Sequence, residues 1–240
     1  MKRNYNYPDG LQADVNLLGY IDFNGWTLKN LYISTANASK NIIFGSAAQT
    51  DYTIKNLNFE NFLKRSTGRL FNKSNGYGTF YNCTFSGEFD NESASGYAYL
   101  TYNLTGLYDC SVNVYSSNNA GPLGLFYQGT IENCHIHIEG QVYCIYPWAA
   151  TFYNSLITGS VTARNSSYAI SNNYSSASYC VFDIAGDNTL KWTTANAICI
   201  YNSDKISKDS SSSAKLIGVT TEQMKNAEYL RSIGFPIGVD

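Results

Sequence analysis

Short stretches of the chain alternate apolar and polar residues, and each alternation slips by one place at a recurring asparagine. The stretches are Leu28 to Ile33, Ile54 to Phe59, Phe80 to Phe85, Leu107 to Val112, Ile131 to Ile136, Phe152 to Ile157 and, in degraded form, Ala177 to Phe182. Their third positions are Asn30, Asn56, Asn82, Asp109, Asn133, Asn154 and Tyr179, in steps of 26, 26, 27, 24, 21 and 25 residues. Alternation with period two belongs to a strand and not to a helix. A regular step of this size means stacked units, none of which can bury its apolar face alone.

A second segment rich in β-branched and aromatic residues accompanies each motif, among them Asn41 to Phe44, Arg69 to Phe71, Tyr97 to Leu100, Leu123 to Phe126, Val142 to Ile145, Tyr168 to Ile170 and Ala197 to Ile200. Gly, Ser and Asn clusters between them supply turns. A period near 25 is too short for a strand-helix unit of about 30 residues or more, so it predicts a chain wound into parallel strands. In Leu28-Lys29-Asn30-Leu31 both leucines must face inward although three apart, which requires a sharp bend at the asparagine. Asn accepts the left-handed conformation such a bend needs. Stacked coil upon coil, the side chains of Asn30, Asn56, Asn82, Asp109, Asn133 and Asn154 are expected to form an internal hydrogen-bonded ladder, distorted or ended at Tyr179.

This column resembles the asparagine ladder of right-handed parallel β-helix proteins, the pectate-lyase-like superfamily, over residues 21 to about 206. The resemblance implies an all-β fold, a right-handed single-stranded parallel β-helix of about 7 to 8 coils with a short C-terminal capping helix. Residues 1–20 are then an N-terminal cap or attachment segment, with Pro8-Asp9-Gly10 as a turn and Val15, Leu17 and Leu18 lying across the first coil. Residues 207–240 form a linker, the capping helix and a tail. Thr220 and Gln223 read as a capping box that opens a helix with Met224, Ala227 and Leu230 on one stripe, ended by Gly234 and Pro236. The stretch Thr220 to Phe235 is similar to the short tails that follow repetitive β-helical segments in bacterial surface and phage-associated proteins.

The residue after each bend runs Leu31, Leu57, Cys83, Cys110, Cys134, Ser155, Cys180, so four of the six cysteines fall in one inward column. They read as free, buried thiols, because in-line stacking does not present the dihedral a disulfide needs.

Net charge is −2 and only 14% of residues are charged, against a usual figure of about 25%. The outer surface is therefore Asn, Ser, Thr, Gly and Tyr, and no basic stripe is present to neutralise phosphates, which disfavours nucleic acid. Met1 to Tyr7 lacks the apolar core of a signal peptide and no 18-residue apolar run occurs, so neither export by that route nor a membrane span is expected. Seven N-x-S/T sequons occur; Asn82, read as inward, is excluded as a glycan carrier.

Candidate chemistry is sparse. The acidic and Gly-His-Gly motifs of lyases and hydrolases with this resemblance are absent. Outward carboxylates Glu60, Glu88, Asp183 and Asp187 are scattered, with Glu60 and Glu88 expected a coil apart on one face; as a pair they read as solvated surface groups. His135, His137 and Glu139 share the outer face of one strand, the spacing of a shared metal, but neighbouring columns add nothing to them. No catalytic residue, metal or cofactor is assigned. Tyr81, Tyr108 and Tyr153, each just before a bend, and Trp148 in Tyr146-Pro147-Trp148 form the candidate carbohydrate- or partner-binding set.

These observations lead to the expectation of a non-enzymatic structural or recognition module of a bacteriophage particle: a spike, fibre or head-decoration protein in the virion that binds host-surface glycan or neighbouring virion proteins. The resemblance implies a homotrimer. The alternatives are a polysaccharide lyase or hydrolase of the same fold and an adhesin module at a bacterial cell surface.

Overall fold

The structure is a computed structural model and describes residues 6–7, 19–33, 51–65, 68–71, 78–91, 98–102, 104–119, 123–142, 145, 147–163, 168–171 and 174–237. The N-terminal turn and the residues Val15, Leu17 and Leu18 lie outside these, as do Cys144 and Tyr146.

The chain is a parallel β-solenoid. Sheet A stacks, in order, Asn6–Tyr7, Tyr32–Ile33, Asn58–Lys64, Thr84–Asn91, Ser111–Asn119, His135–Val142, Leu156–Ala163, Val181–Gly186, Cys199–Asn202 and Leu216–Val219, and Thr27–Lys29 also pairs with Asn58–Lys64. Sheet B stacks Gly19–Asp22, Tyr52–Lys55, Gly78–Tyr81, Leu104–Tyr108, Leu123–Glu132, Trp148–Tyr153 and Ser176–Ser178. Neighbours are parallel throughout both sheets, as between Ser111–Asn119 and His135–Val142 or Leu123–Glu132 and Trp148–Tyr153. Sheet A continues past position 206 to Leu216–Val219.

Register places like on like. From sheet B the inward column is Ile54, Phe80, Leu107, Ile131, Phe152, Ala177, and from sheet A it is Phe59, Phe85, Val112, Ile136, Ile157, Phe182, all buried in one core. The rings of Phe59 and Phe85 stack at 5.3 Å. Trp192, which no repeat contained, fills the core between Phe152 and Phe182.

At the bends, Asn56, Asn82, Asp109, Asn133, Asn154 and Tyr179 all have φ between 44° and 56°. This left-handed turn sends the side chain of the bend residue outward and returns the next residue to the core. Asn82, Asp109, Asn133 and Asn154 are exposed while Cys83, Cys110, Cys134 and Ser155 are buried, so the ladder runs along an outer corner of the rod and not inside it as expected. Asn82, at the surface, is not barred by burial from carrying a glycan. Asn56 Nδ2 donates to Asp22 Oδ1 at 2.9 Å, Asn82 to Asn56 at 2.7 Å, Asn133 to Asp109 at 3.2 Å and Asn154 to Asn133 at 2.8 Å.

Asn30 stands apart from this column. It has the left-handed bend, but its partner is Asn61, whose Nδ2 donates to Asn30 Oδ1 at 2.7 Å in a second column within sheet A. The bend that precedes Asn56 in the stack is Phe23-Asn24-Gly25 instead: Phe23 N–H donates to Lys55 O and Gly25 N–H to Asn56 O. At Tyr179 the backbone bend persists and the amide chain ends. Asp109 has no amide to pass on to Asn82. Asp109→Asn adds that donor and is expected to raise stability by about 0.5 kcal/mol or less at this exposed corner, read as a slightly higher melting temperature, whereas Asn133→Asp removes the donor to position 109 and lowers it.

The residue after each bend staples it. Cys83, Cys110 and Cys134 Sγ donate to the carbonyls of Tyr81, Tyr108 and Glu132, two residues back, at 3.2–3.3 Å, and Ser155 Oγ does the same to Tyr153 at 2.9 Å. Cys199 extends this column next to Cys180, so Ala197 to Ile200 stacks on Ser178 to Val181 as a further copy of the motif, without the left-handed residue. The described cysteines are free and buried. Hydrogen bonds with Cys134 and Cys83, together with burial, push the Cys110 thiol up, and Cys199 does so for Cys180, keeping both protonated as donors.

Lys64, at the inward end of its strand, is buried. Burial lowers its pKa from 10.5 to about 8. Below about 8 the ammonium is charged in both native and unfolded chains. Between 8 and 10.5 the native state has released a proton the unfolded chain still holds, so stability rises with pH. Relative to Lys64→Met, the wild type should gain about 3 kcal/mol across that window, measured as paired urea melts at its two ends.

The C-terminal region differs from the single capping helix. There are two helices, Thr221–Met224 and Ala227–Ser232. The capping box of Thr220 and Gln223 is present, but Asn226 accepts from Tyr229 N–H and starts a second helix, which leaves Ala227 exposed. Leu230 and Phe235 pack with Val181, Ile198, Ile200 and Ile217. In the alternation of sheet A these strand residues face outward, next to inward Phe182, Cys199 and Leu216, so the helices cover the outer face of the last strands. Buried Asn202 ties them down: its Nδ2 donates to Asp183 Oδ1 at 2.7 Å and Thr221 Oγ1 at 3.0 Å, and Thr221 N–H donates to Asp204 Oδ2. Among the described residues no helix is long and apolar enough to cross a membrane.

Candidate functional site

The outer face of sheet B is built by register. Three places before each bend stand Thr53, Thr79, Gly106, Thr130, Thr151 and Ser176, aligned one above another. One place before the bend stand Lys55, Tyr81, Tyr108, Glu132, Tyr153 and Ser178, equally aligned. A third row precedes the threonines in the chain, set off from them by the left-handed residues Gln128 and Ala149: buried Tyr99 meets Tyr127 edge-on, Tyr127 stacks with Trp148 at 6.2 Å, and Trp148 meets Tyr174 at 5.7 Å. A column of hydroxyls, interrupted at Gly106, thus runs along the rod, with Tyr81, Tyr108 and Tyr153 on the bend side and the row through Tyr127, Trp148 and Tyr174 on the other.

The candidate aromatics have unequal freedom. Tyr81 and Tyr108 stack on each other at 4.8 Å, and the Lys55 ammonium lies over the rings of Tyr81 and Tyr20. The Tyr108 ring lies across Gly106, where a Cβ would sit 2.3 Å from it. Burial, then the neighbouring Tyr81 and Glu132, push the Tyr108 hydroxyl pKa up, partly opposed by its hydrogen bond with Thr130. These two rings serve coil-to-coil packing. Tyr153, 41% exposed, and Tyr174, 81% exposed, offer open ring surface at the C-terminal half, with Trp148 between Tyr127 and Tyr174.

His135, His137 and Glu139 do project from one face of sheet A, but their donors are engaged. His137 lies 3.1 Å from Glu139 Oε1 and 2.9 Å from Thr158 Oγ1, and His135 Nε2 lies 2.9 Å from the same hydroxyl. The single hydroxyl proton serves one imidazole, so the other nitrogen must donate to Oγ1. Among the described residues no three His, Cys, Asp or Glu side chains are placed to hold a metal ion.

Glu60 pairs with Lys29, and Glu88 lies a coil away but further along its strand, opposite Leu63. Burial raises the Asp183 carboxyl, but bonds from Lys205 and Asn202 outweigh this and hold it below the usual range. Asp22 and Asp209 are likewise lowered, by the Asn56 amide and by Ser211 respectively. A general acid of glycoside chemistry needs the opposite shift.

Compared with models of known families, with curated proteins and with solved structures, the chain matches none.

The threonine column and the row through Tyr127 and Tyr174 escape a reading that follows only the aromatics beside the bends. The signal was present three residues before each bend, where Thr53, Thr79, Thr130 and Thr151 recur.

Proposed function

We propose that the chain is a non-enzymatic recognition module of a bacteriophage particle, a right-handed β-helix of about 7 to 8 coils whose sheet B face binds a host-surface glycan. Right-handed winding follows the strong preference of parallel crossovers. The observation that carries the binding reading is the hydroxyl column flanked by aromatic rows, held in place by a packed core. Rings offer area at low entropic cost and hydroxyls offer directed hydrogen bonds, the combination that sugars require. The tail from Thr220 to Phe235 and the low-charge surface support a particle setting in the virion; the homotrimer is carried over from the resemblance alone. Neighbouring virion proteins are the other partners of such a rod.

The test is a glycan array probed with the purified chain, alongside mass measurement in solution and protein identification in purified virions. The expected result is binding to a restricted set of glycans by a species of three times the 26.6 kDa chain mass. A monomer that cleaves polysaccharide, or a chain found on bacterial surfaces and missing from virions, overturns the reading.

A further inference from the structure

We infer that the occupant of the sheet B face is an uncharged saccharide chain lying along the rod axis over Thr130, Thr151 and Ser176; this rests on the glycan reading above.

The direction comes from the repeat itself. Thr130, Thr151 and Ser176 are register partners, and so are Glu132, Tyr153 and Ser178, so equivalent groups recur at the strand spacing of about 4.8 Å along the axis. A polymer running in that direction meets hydroxyls beneath it at successive coils, with Tyr127, Trp148 and Tyr174 along one side and Tyr153 on the other. A polymer running across the strands meets each row once. Thr151 is exposed, and its Oγ1 accepts from Ser176 Oγ in a long hydrogen bond of 3.4 Å.

The charge class comes from what the face lacks. In the threonine column and its two flanking rows, the described residues from Gly78–Tyr81 to Ser176–Ser178 include one ionisable acid, Glu132, and no Lys or Arg. Lys55 stands at the far end with its ammonium over two tyrosine rings. Uronate, sialate or phosphate groups are recognised through Arg or Lys, which this stretch does not present, and Glu132 between Tyr108 and Tyr153 repels them. The position is the C-terminal half because Tyr81 and Tyr108 are stacked on each other, whereas Tyr153 and Tyr174 keep open faces.

The experiment uses the full chain in affinity electrophoresis through gels containing neutral polysaccharides (dextran, mannan, a linear β-glucan) or acidic ones (alginate, polygalacturonate), at low and high salt. Retardation by at least one neutral polymer and by neither acidic one is expected. Tyr153→Ala and Trp148→Ala should each weaken it roughly tenfold. Tyr115→Ala, which removes an aromatic 50% exposed on sheet A, should leave it unchanged. Thr151→Val tests the hydroxyl column at an exposed position that leaves the core intact, and should also weaken retention. Salt and Glu132→Gln should change affinity less than about twofold, since screening acts only on charged contacts. Retention by the acidic polymers, abolished by salt and by Tyr153→Ala, overturns this inference and leaves the glycan reading standing. Loss on Tyr115→Ala equal to that on Tyr153→Ala overturns the choice of face. No retention by any polymer, together with a blank glycan array, overturns both.

Discussion

Gly159→Ala will destabilise the solenoid by roughly 3 kcal/mol or more, a large share of the 5–15 kcal/mol that holds a typical domain folded. Gly159 has φ +121°, a conformation that side chains rarely adopt, and an added Cβ would lie 1.9 Å from the Ile138 carbonyl oxygen. That oxygen belongs to the strand paired directly with Gly159, so relief requires separating two coils. Gly106→Ala is the instructive comparison. There the added methyl meets the Tyr108 ring, an outward side chain able to swing away, and φ is ordinary. Thermal melts should therefore show a large loss for Gly159→Ala and a smaller one for Gly106→Ala, with Tyr108 released from the face. Equal and small losses would mean that these coils do not approach as described.

Phe152→Ala should cost about 3–5 kcal/mol. Phe152 is buried on the inward column, 5.5 Å from the Trp192 ring and 6.2 Å from that of Phe126. It already borders a wholly apolar void lined also by Ile136, Ile145, Ile170 and Phe182, so the deletion enlarges a space that the rigid coils around it cannot close. Urea titration should show a lower midpoint at an unchanged slope. Phe152→Leu, which keeps most of the volume, should lose less than half as much. A Phe152→Ala variant as stable as the wild type would place this side chain outside the core.

The parallel solenoid was legible in the sequence because each coil repeats the same demand. Ile54, Phe80, Leu107, Ile131 and Phe152 recur at one offset from the bend, and such a column has meaning only if the offsets stack. The cysteine column was legible for the same reason. What failed were features set by the neighbour and not by the local pattern. Leu28 to Ile33 has the right alternation, yet the coil that holds it bends towards the next one at Phe23-Asn24-Gly25, and Asn30 stacks on Asn61. Whether the bend amide faces in or out depends on the sign of φ, which the residue type suggests without fixing which side of the wall it leaves exposed. The helix break at Asn226 is a local cap that outweighed a three-residue stripe. Of the recognition face, Trp148 and Tyr153 could be read as outward aromatics; that Tyr81 and Tyr108 spend their faces on each other emerges only when the coils are stacked.

The central claim is parallel, in-register stacking of coils some two dozen residues apart. A NOESY spectrum of the deuterated, methyl-labelled chain tests it most directly. Val112 should show cross-peaks to Ile136, and Ile136 to Ile157, together with amide contacts from Ser111 to Thr84 and to His135 in the pattern of parallel strands. Contacts in the antiparallel pattern, or none between Val112, Ile136 and Ile157, would contradict the account.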